Sequence, residues 1–377
     1  MSDSPMSPGD ACPGALRLHA ADDGFLARVR IPGGVLGVAA ARALGEVAGR
    51  LGDGLLHLTS RGNVQLRGLR GGCDAELAAA LSAAGLLPSA AHERVRNVVA
   101  SPMSGLDGGG FVDVRSWLNG LDAGLCASAV TPGLSGRFLF ALDDGRGDVA
   151  SLRPDVLVRG VPGGRGVLCV DGAEFSVAYE DGARAAVVAA EVFVEAARSI
   201  TGRRVWRVAE LGLPEGELGR LVGERLEQVG VQATGLRPGP RASIAGGAEC
   251  GFAPPFGTLT PTHWRDLIEL AAQHPLQELR LTPWRRVVVP GVTAYDTDSP
   301  WTRVGACIGR PGCAKSHADV RADATARIGE AHPALPTYWS GCERRCGHPT
   351  GPYIDIVARP HGTYDITDPT ERAEPRV

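Results

Sequence analysis

The sequence predicts an α+β protein made by internal duplication, and three observations carry that prediction. Helical and strand-like periodicities follow one another in mixed order along the chain. One segment recurs at a fixed offset. Four of the nine cysteines crowd into the C-terminal fifth. A length of 377 residues leaves room for a sizeable core. The 39 basic residues nearly balance 42 acidic ones, so no global cationic excess exists to neutralise phosphates, which argues against a general nucleic-acid binder. The 52 glycines and 27 prolines are interleaved with apolar runs, which points to a loop-rich globule and not to disorder.

In chain order, residues 1–14 carry acidic residues and prolines with no basic stretch leading into an apolar one, so no export signal is expected. The longest uncharged run, 250–264, contains Pro254, Pro255 and Pro261 and cannot span a bilayer. The protein is expected to be cytoplasmic, with no membrane or nucleic-acid partner. Apolar spacing places helices at 39–51, 74–86, 184–200, 215–229, 262–274 and 314–328, with Thr260-Pro261 as a cap and first helical residue for the fifth. Strand-like runs lie at 55–66, 137–142, 167–179, 278–290 and 353–358.

The repeat sets Leu56-His-Leu-Thr-Ser-Arg-Gly-Asn-Val-Gln-Leu-Arg-Gly-Leu69 against Leu279-Arg-Leu-Thr-Pro-Trp-Arg-Arg-Val-Val-Val-Pro-Gly-Val292 at an offset of 223. Pro32, Gly34 and Leu36 match Pro255, Gly257 and Leu259 at the same offset. Each copy reads strand, Pro/Gly turn, helix, strand, turn, strand. A shorter pairing at an offset of 209 sets Arg94, Val95 and Pro102 against Arg303, Val304 and Pro311. Together they describe two halves, each a small split α/β unit followed by a larger one. The expected division is a flexible tail at 1–15, small units at 16–90 and 236–295, and larger units at 91–235 and 296–377.

Cys307 and Cys313 are spaced C-x5-C, and Cys342 and Cys346 follow as C-x3-C. Four thiolates from two Gly/Pro-containing loops can wrap a four-iron four-sulfur (4Fe-4S) cluster. Structural zinc is the competing reading, though its ligand pairs are usually two to four residues apart, which suits the second pair better than the first. Four unliganded cysteines remain the plain alternative. Cys12, Cys73, Cys126, Cys169 and Cys250 are scattered and read as structural.

The cysteine spacing, Ser340-Gly-Cys-Glu-Arg-Arg-Cys-Gly-His-Pro349 and Leu58-Thr-Ser-Arg-Gly-Asn-Val-Gln-Leu66 resemble the nitrite/sulfite reductase superfamily, over about 24–358. That resemblance implies two ferredoxin-like half-domains alternating with two larger α/β cluster-type domains, and a 4Fe-4S cluster whose last cysteine faces a tetrapyrrole. Within it, Arg96-Asn-Val-Val-Ala-Ser-Pro-Met-Ser-Gly-Leu-Asp107, Arg137-Phe-Leu-Phe-Ala-Leu-Asp-Asp-Gly145 and the Cys307–Cys313 loop are similar to the precorrin-3B synthase branch. The implied activity is an oxygen-dependent monooxygenase of cobalamin biosynthesis that hydroxylates precorrin-3A and closes a γ-lactone, with dioxygen as co-substrate. A sirohaem-dependent nitrite or sulfite reductase is the alternative, and a non-catalytic zinc module or tetrapyrrole carrier a more distant one.

By the same resemblance Arg61 and Arg96 face the bound anion and the tetrapyrrole carboxylates, which planar, permanently charged guanidinium groups suit. Asn63 and Gln65, alternating with Val64 and Leu66, are expected on the strand face of Arg61, and Asn97 and Arg137 complete the set. Where sulfite reductases carry a lysine-rich tract, this chain keeps Arg137 but has Leu139. The missing cation speaks against a reaction that consumes many protons. At an offset of 209 the first half has Val98 and Ser104 opposite Cys307 and Cys313, so one cluster is expected, with Arg137 near the counterpart of the Cys342 loop. A mononuclear non-haem iron is associated with the branch. His57, His317, His348, Asp107 and Asp113 are nominal ligands for it. No GxGxxG fingerprint is apparent, so a separate NADH-dependent electron donor is expected.

Overall fold

The computed structural model describes residues 14–237, 250–296, 298–349 and 351–370. The expected tail, apart from its last two residues, and Cys12 lie outside the described residues. Seven helices are present among these: α1 (Val38–Leu51), α2 (Asp74–Ala83), α3 (Arg115–Ala127), α4 (Gly182–Ser199), α5 (Glu217–Gln228), α6 (Pro261–Ala272) and α7 (Val320–Ala326). None is long and apolar enough to cross a membrane.

The repeat appears in space as a reciprocal exchange of strands. In the first copy Val35–Gly37 pairs with Glu278–Leu281 of the second, in the register Leu36 to Leu279 and Val35 to Arg280. In the second copy Thr258–Leu259 pairs with Leu56–Leu58 of the first, in the register Leu259 to Leu56 and Thr258 to His57. The two registers are the same register, related by the 223-residue offset, so the copies are linked by an approximate two-fold axis. Neither copy closes its own sheet. Their apolar residues form one core, from Ala27, Leu44 and Leu66 through Leu259, Leu267 and Leu281.

Helices α1 and α6 pack on this core with equivalent residues. Ala41, Leu44 and Ala48 are buried on one, and Trp264, Leu267 and Ala271 on the other. On the axis, position 41 meets its own counterpart: the Trp264 indole N–H donates to the Ala41 carbonyl at 2.9 Å. Thr260 caps α6 by accepting from the His263 amide, with Pro261 opening the helix as expected.

Each larger unit carries a sheet whose first three strands are parallel and whose fourth turns back. In the first these are Val98–Ala100, Phe140–Asp143, Val156–Val161 and Arg165–Val170, extended by Ala173–Val177 and Ala233–Leu236. In the second they are Val304–Ala306, Thr337–Ser340, Ile354–Ala358 and Tyr364–Thr367. The first strands match at an offset of 206, so the 209 pairing is three residues out of step. One face of the larger sheet is covered by α3, α4 and α5. The other is apolar too, with Val99, Leu139, Ala141, Leu157, Val167 and Cys169, and Trp284 from the second repeat copy packs on it.

Two helices differ from expectation. Helix α3 was not anticipated because Gly120 and Gly124 weaken its helical signal. A Cβ at Gly120 would lie 2.9 Å from Ala183 Cβ, and one at Gly124 2.8 Å from Val187 Cγ2, so both glycines serve the close approach of α4. The stretch 314–328 is helical only from Val320, where Asp319 caps α7 by accepting from the Ala322 amide; the residues before it belong to the cysteine loop.

The exchange depends on Gly34, which has φ +71° and whose Cβ would lie 1.9 Å from the Leu281 carbonyl oxygen. Gly34→Ala is expected to lower unfolding stability by about 2–4 kcal/mol in urea titrations. Gly49→Ala, in open space on α1, is expected to raise it by a few tenths to about 1 kcal/mol.

Candidate functional site

The cysteines lie on loops at the carboxyl ends of parallel strands, Cys307 following Val304–Ala306 and Cys342 following Thr337–Ser340. The Gly341 amide donates to Cys307 Sγ at 3.1 Å. Burial pushes the Cys307 thiol up; backbone donors oppose this, and Cys346 and Cys313 add to the rise, which places those two within electrostatic reach. None of the eight described cysteines is in a disulfide. Among the described residues no three His, Cys, Asp or Glu side chains are grouped to hold a single metal ion. His57, His317, His348, Asp107 and Asp113 do not converge, so these residues supply no fit for a mononuclear iron. The cysteines are judged by their donor set: thiols alone, on loops that offer backbone N–H groups, which suits a cluster wider than one ion.

Three arginines grip these loops by their backbone. Arg321 on α7 donates to the Cys307 carbonyl at 3.1 Å and to Thr258 Oγ1 at 3.1 Å. Arg67 donates to the Gly312 carbonyl at 2.9 Å while paired with Asp23. Arg285 donates to the Gly347 carbonyl at 3.2 Å. Neither Arg321 nor Arg285 has a carboxylate partner among the described residues. Burial depresses the Arg321 pKa, and the Cys307 and Tyr338 charges counter that effect. Partly buried cations without counter-ions are costly, and an anionic group between them would remove the cost. The residues present therefore fit a thiolate-bound, negatively charged cluster.

The first half keeps the frame of this site and changes its chemistry. By strand register the counterpart of Cys307 is Ser101, not Val98. The Ser101 amide donates to Leu142 O as the Cys307 amide does to Trp339 O. The Asp144 amide donates to Ser101 Oγ at 3.1 Å as Gly341 does to the Cys307 sulfur. Ser101 Oγ in turn donates to Asp148 at 2.6 Å. Arg146 bridges Asp107 and Asp144 at 2.8 and 2.9 Å. The counterpart of Cys342 is Gly145, so Arg137 lies at the other end of its strand from that loop.

Arg61 and Asn63 lie in the hairpin turn and not on the strand. Arg61 donates to the Gly136 and Arg137 carbonyls at 3.2 and 3.1 Å. Asn63 and Asn97 are buried and joined at 3.2 Å, Asn63 also accepting from the Ile31 amide and Asn97 donating to Phe138 O. Arg96 is buried in a bidentate pair with Asp122 and donates to Leu86 O. Asn63, Asn97 and Arg96 are thus spent on protein partners, and Arg96 is not brought to the others. Gln65 lies on the strand beside its cross-strand neighbours His57 and Arg28. Arg137 is half exposed, 3.5 Å from Glu210.

Sequence reading missed Trp284 and Arg285. They are the counterparts of Arg61 and Gly62 in the second copy, and the offset of 223 could have found them. Arg285 keeps the left-handed backbone of Gly62, at φ 59° against 66°. This turn spans from the cysteine loop, through Arg285, to the apolar sheet face of the first larger unit, through Trp284.

Residues 18–84 and 246–306 match the nitrite/sulfite reductase ferredoxin-like half domain. Each repeat copy thus carries one segment similar to the half domain of nitrite and sulfite reductases. It is 27% identical to a ferredoxin–nitrite reductase of Synechococcus elongatus over 86% of this chain and 74% of that one. It is 26% identical to a precorrin-3B synthase of a Sinorhizobium species over 93% of this chain and 81% of the other. The solved structure of the Mycobacterium tuberculosis NirA protein shares the fold, with a TM-score of 0.65 at 18% identity over 91% of this chain and 73% of that one.

Two outcomes test this site. Alanine at Cys307, Cys313, Cys342 or Cys346 is expected to abolish iron retention measured by metal analysis, whereas alanine at Cys126 or Cys169 leaves it unchanged. Burial raises the Asp148 carboxyl to about 6, so the folded chain holds a proton there that the unfolded chain releases near the ordinary value of 3.8. Between those values the folded state binds more protons, so this group's stabilisation is present at low pH and is lost as pH rises through about 6. Asp148→Asn is expected to flatten that part of the melting temperature against pH.

Proposed function

We propose that this chain is an oxygen-dependent monooxygenase of the precorrin-3B synthase type, acting on a tetrapyrrole carboxylate. The observation that carries the reading is Leu139. It stands where the reductases' tract would place a second cation, and it is 3% exposed, packed in the apolar sheet face on which Trp284 also rests. One cation, Arg137, remains at that edge. A buried leucine with a single cation left at its strand end suits poorly the repeated protonation of a small oxyanion, and leaves a tetrapyrrole as the better substrate class. Precorrin-3B synthase of the Sinorhizobium species spans most of the chain, which supports the same reading.

When bound, the cluster would supply single-electron transfer. Cys307, Cys313, Cys342 and Cys346 would hold it. Overall, two electrons and two protons reduce dioxygen so that one oxygen atom enters the tetrapyrrole and the other leaves as water. Arg61 and Arg137 would meet substrate carboxylates, Arg61 by exchanging one of its two carbonyl contacts and Arg137 from its exposed position beside Glu210. Trp284 supplies a ring at the apolar face and excludes water from it. Electrons would come from a separate NADH-dependent donor. The nitrite reductase of Synechococcus matches the chain about as well and supports a second reading, with sirohaem as a resident group.

Anaerobic purification followed by dithionite reduction separates the two. A cluster EPR signal with no sirohaem in acid-acetone extracts is the expected outcome, and stoichiometric sirohaem would move the chain to the reductases. Arg61→Ala is expected to weaken precorrin-3A binding about tenfold or more in titrations, the usual worth of a charge-assisted hydrogen bond.

A further inference from the structure

The two arginines left without carboxylates are the feature that the hydroxylation chemistry does not itself require. We propose that Arg321 and Arg285 set the reduction potential of the cluster, holding it higher than four thiolates alone would, and so make them positioning residues for electron entry. This rests on the cluster reading above. Each guanidinium is anchored on the backbone of a cysteine loop, Arg321 on the Cys307 carbonyl and Arg285 on Gly347, the residue after Cys346. Their placement is independent: one comes from α7 and the other from the hairpin turn of the second repeat copy.

A cysteine-bound cluster is anionic and gains one more negative charge on reduction, the electron coming from an external donor. A fixed cation nearby stabilises the reduced form more than the oxidised one. Arg67 grips the same group of loops but is neutralised by Asp23 in a bidentate pair, so it clamps without adding net charge. Arg321 is further held over the Phe256 ring at 5.6 Å and tied to Thr258, which fixes its charge and leaves it little freedom to swing away. Phe256 and Thr258 belong to the exchanged segment of the second copy, so the duplication itself delivers the anchor.

The test is a spectroelectrochemical titration of the cluster-loaded protein, followed by its visible absorption and EPR. Arg321→Gln is expected to lower the midpoint, read as an about tenfold smaller reduced-to-oxidised ratio at fixed ambient potential. Arg321→Lys, which keeps the charge, is expected to restore most of it. Arg42→Gln, an exposed arginine on α1, changes net charge equally and is expected to leave the midpoint in place. An unchanged midpoint in Arg321→Gln, or a fall in Arg321→Lys as large as in Arg321→Gln, would overturn the proposal. Should Arg321→Gln fail to load iron, Arg285→Gln carries the same measurement, because that side chain makes a single hydrogen bond, to the Gly347 carbonyl. An unshifted Arg285→Gln would then overturn it. A parent protein that binds no iron would instead remove the cluster reading on which this rests.

Discussion

Everything in this molecule hangs on the pairing of Leu36 with Leu279 and of Leu259 with Leu56, one strand contact made twice. Sheet edges expose unpaired N–H and C=O groups, and each repeat copy has such an edge, Leu56–Leu58 in the first and Glu278–Leu281 in the second. Exchange satisfies both edges at once. It also brings the two hairpin turns to the centre, where they reach the larger units. The Arg61 turn touches the 136–137 backbone of the first, and the Arg285 turn touches the cysteine loop of the second. The site is therefore assembled from three regions far apart in sequence, placed by one symmetric contact.

Symmetry in the backbone is used for asymmetry in the chemistry. The same amide that donates to a sulfur in the second half donates to a serine hydroxyl in the first. Around Cys307 the neighbours are cations facing thiols; around Ser101 they are Asp143, Asp144 and Asp148, with Arg146 bridging outward to Asp107. A carboxylate-rich pocket would repel an anionic cluster, so the change of one ligand to serine and the surrounding acids point the same way. One half sets cations beside thiols, and the other is closed by its own hydrogen bonds.

Much of this was legible because the repeat leaves the same residues at the same spacing, so Leu56 and Leu279 announce each other. The cap at Thr260-Pro261 and the cysteine spacing were visible for the same reason: local rules carry local geometry. What escaped was set by partners elsewhere. Gly120 and Gly124 look like helix breakers until α4 is seen against them. Arg96 looks like an anion ligand until Asp122, on the next helix, is found holding both of its arms. The true counterpart of Cys307 was hidden by a three-residue slip, since a short match cannot fix register whereas a strand ladder does.

The exchanged strands also govern the order in which a growing chain can reach this fold. Val35–Gly37 emerges early, yet its partner Glu278–Leu281 is more than two hundred residues away. Pairing across that separation closes a long loop, and such contacts form late and slowly. Until then the first copy must wait with an open edge and an unfinished core, while the six-stranded unit between the copies can already form. The first repeat copy thus depends on the second to cover its open edge.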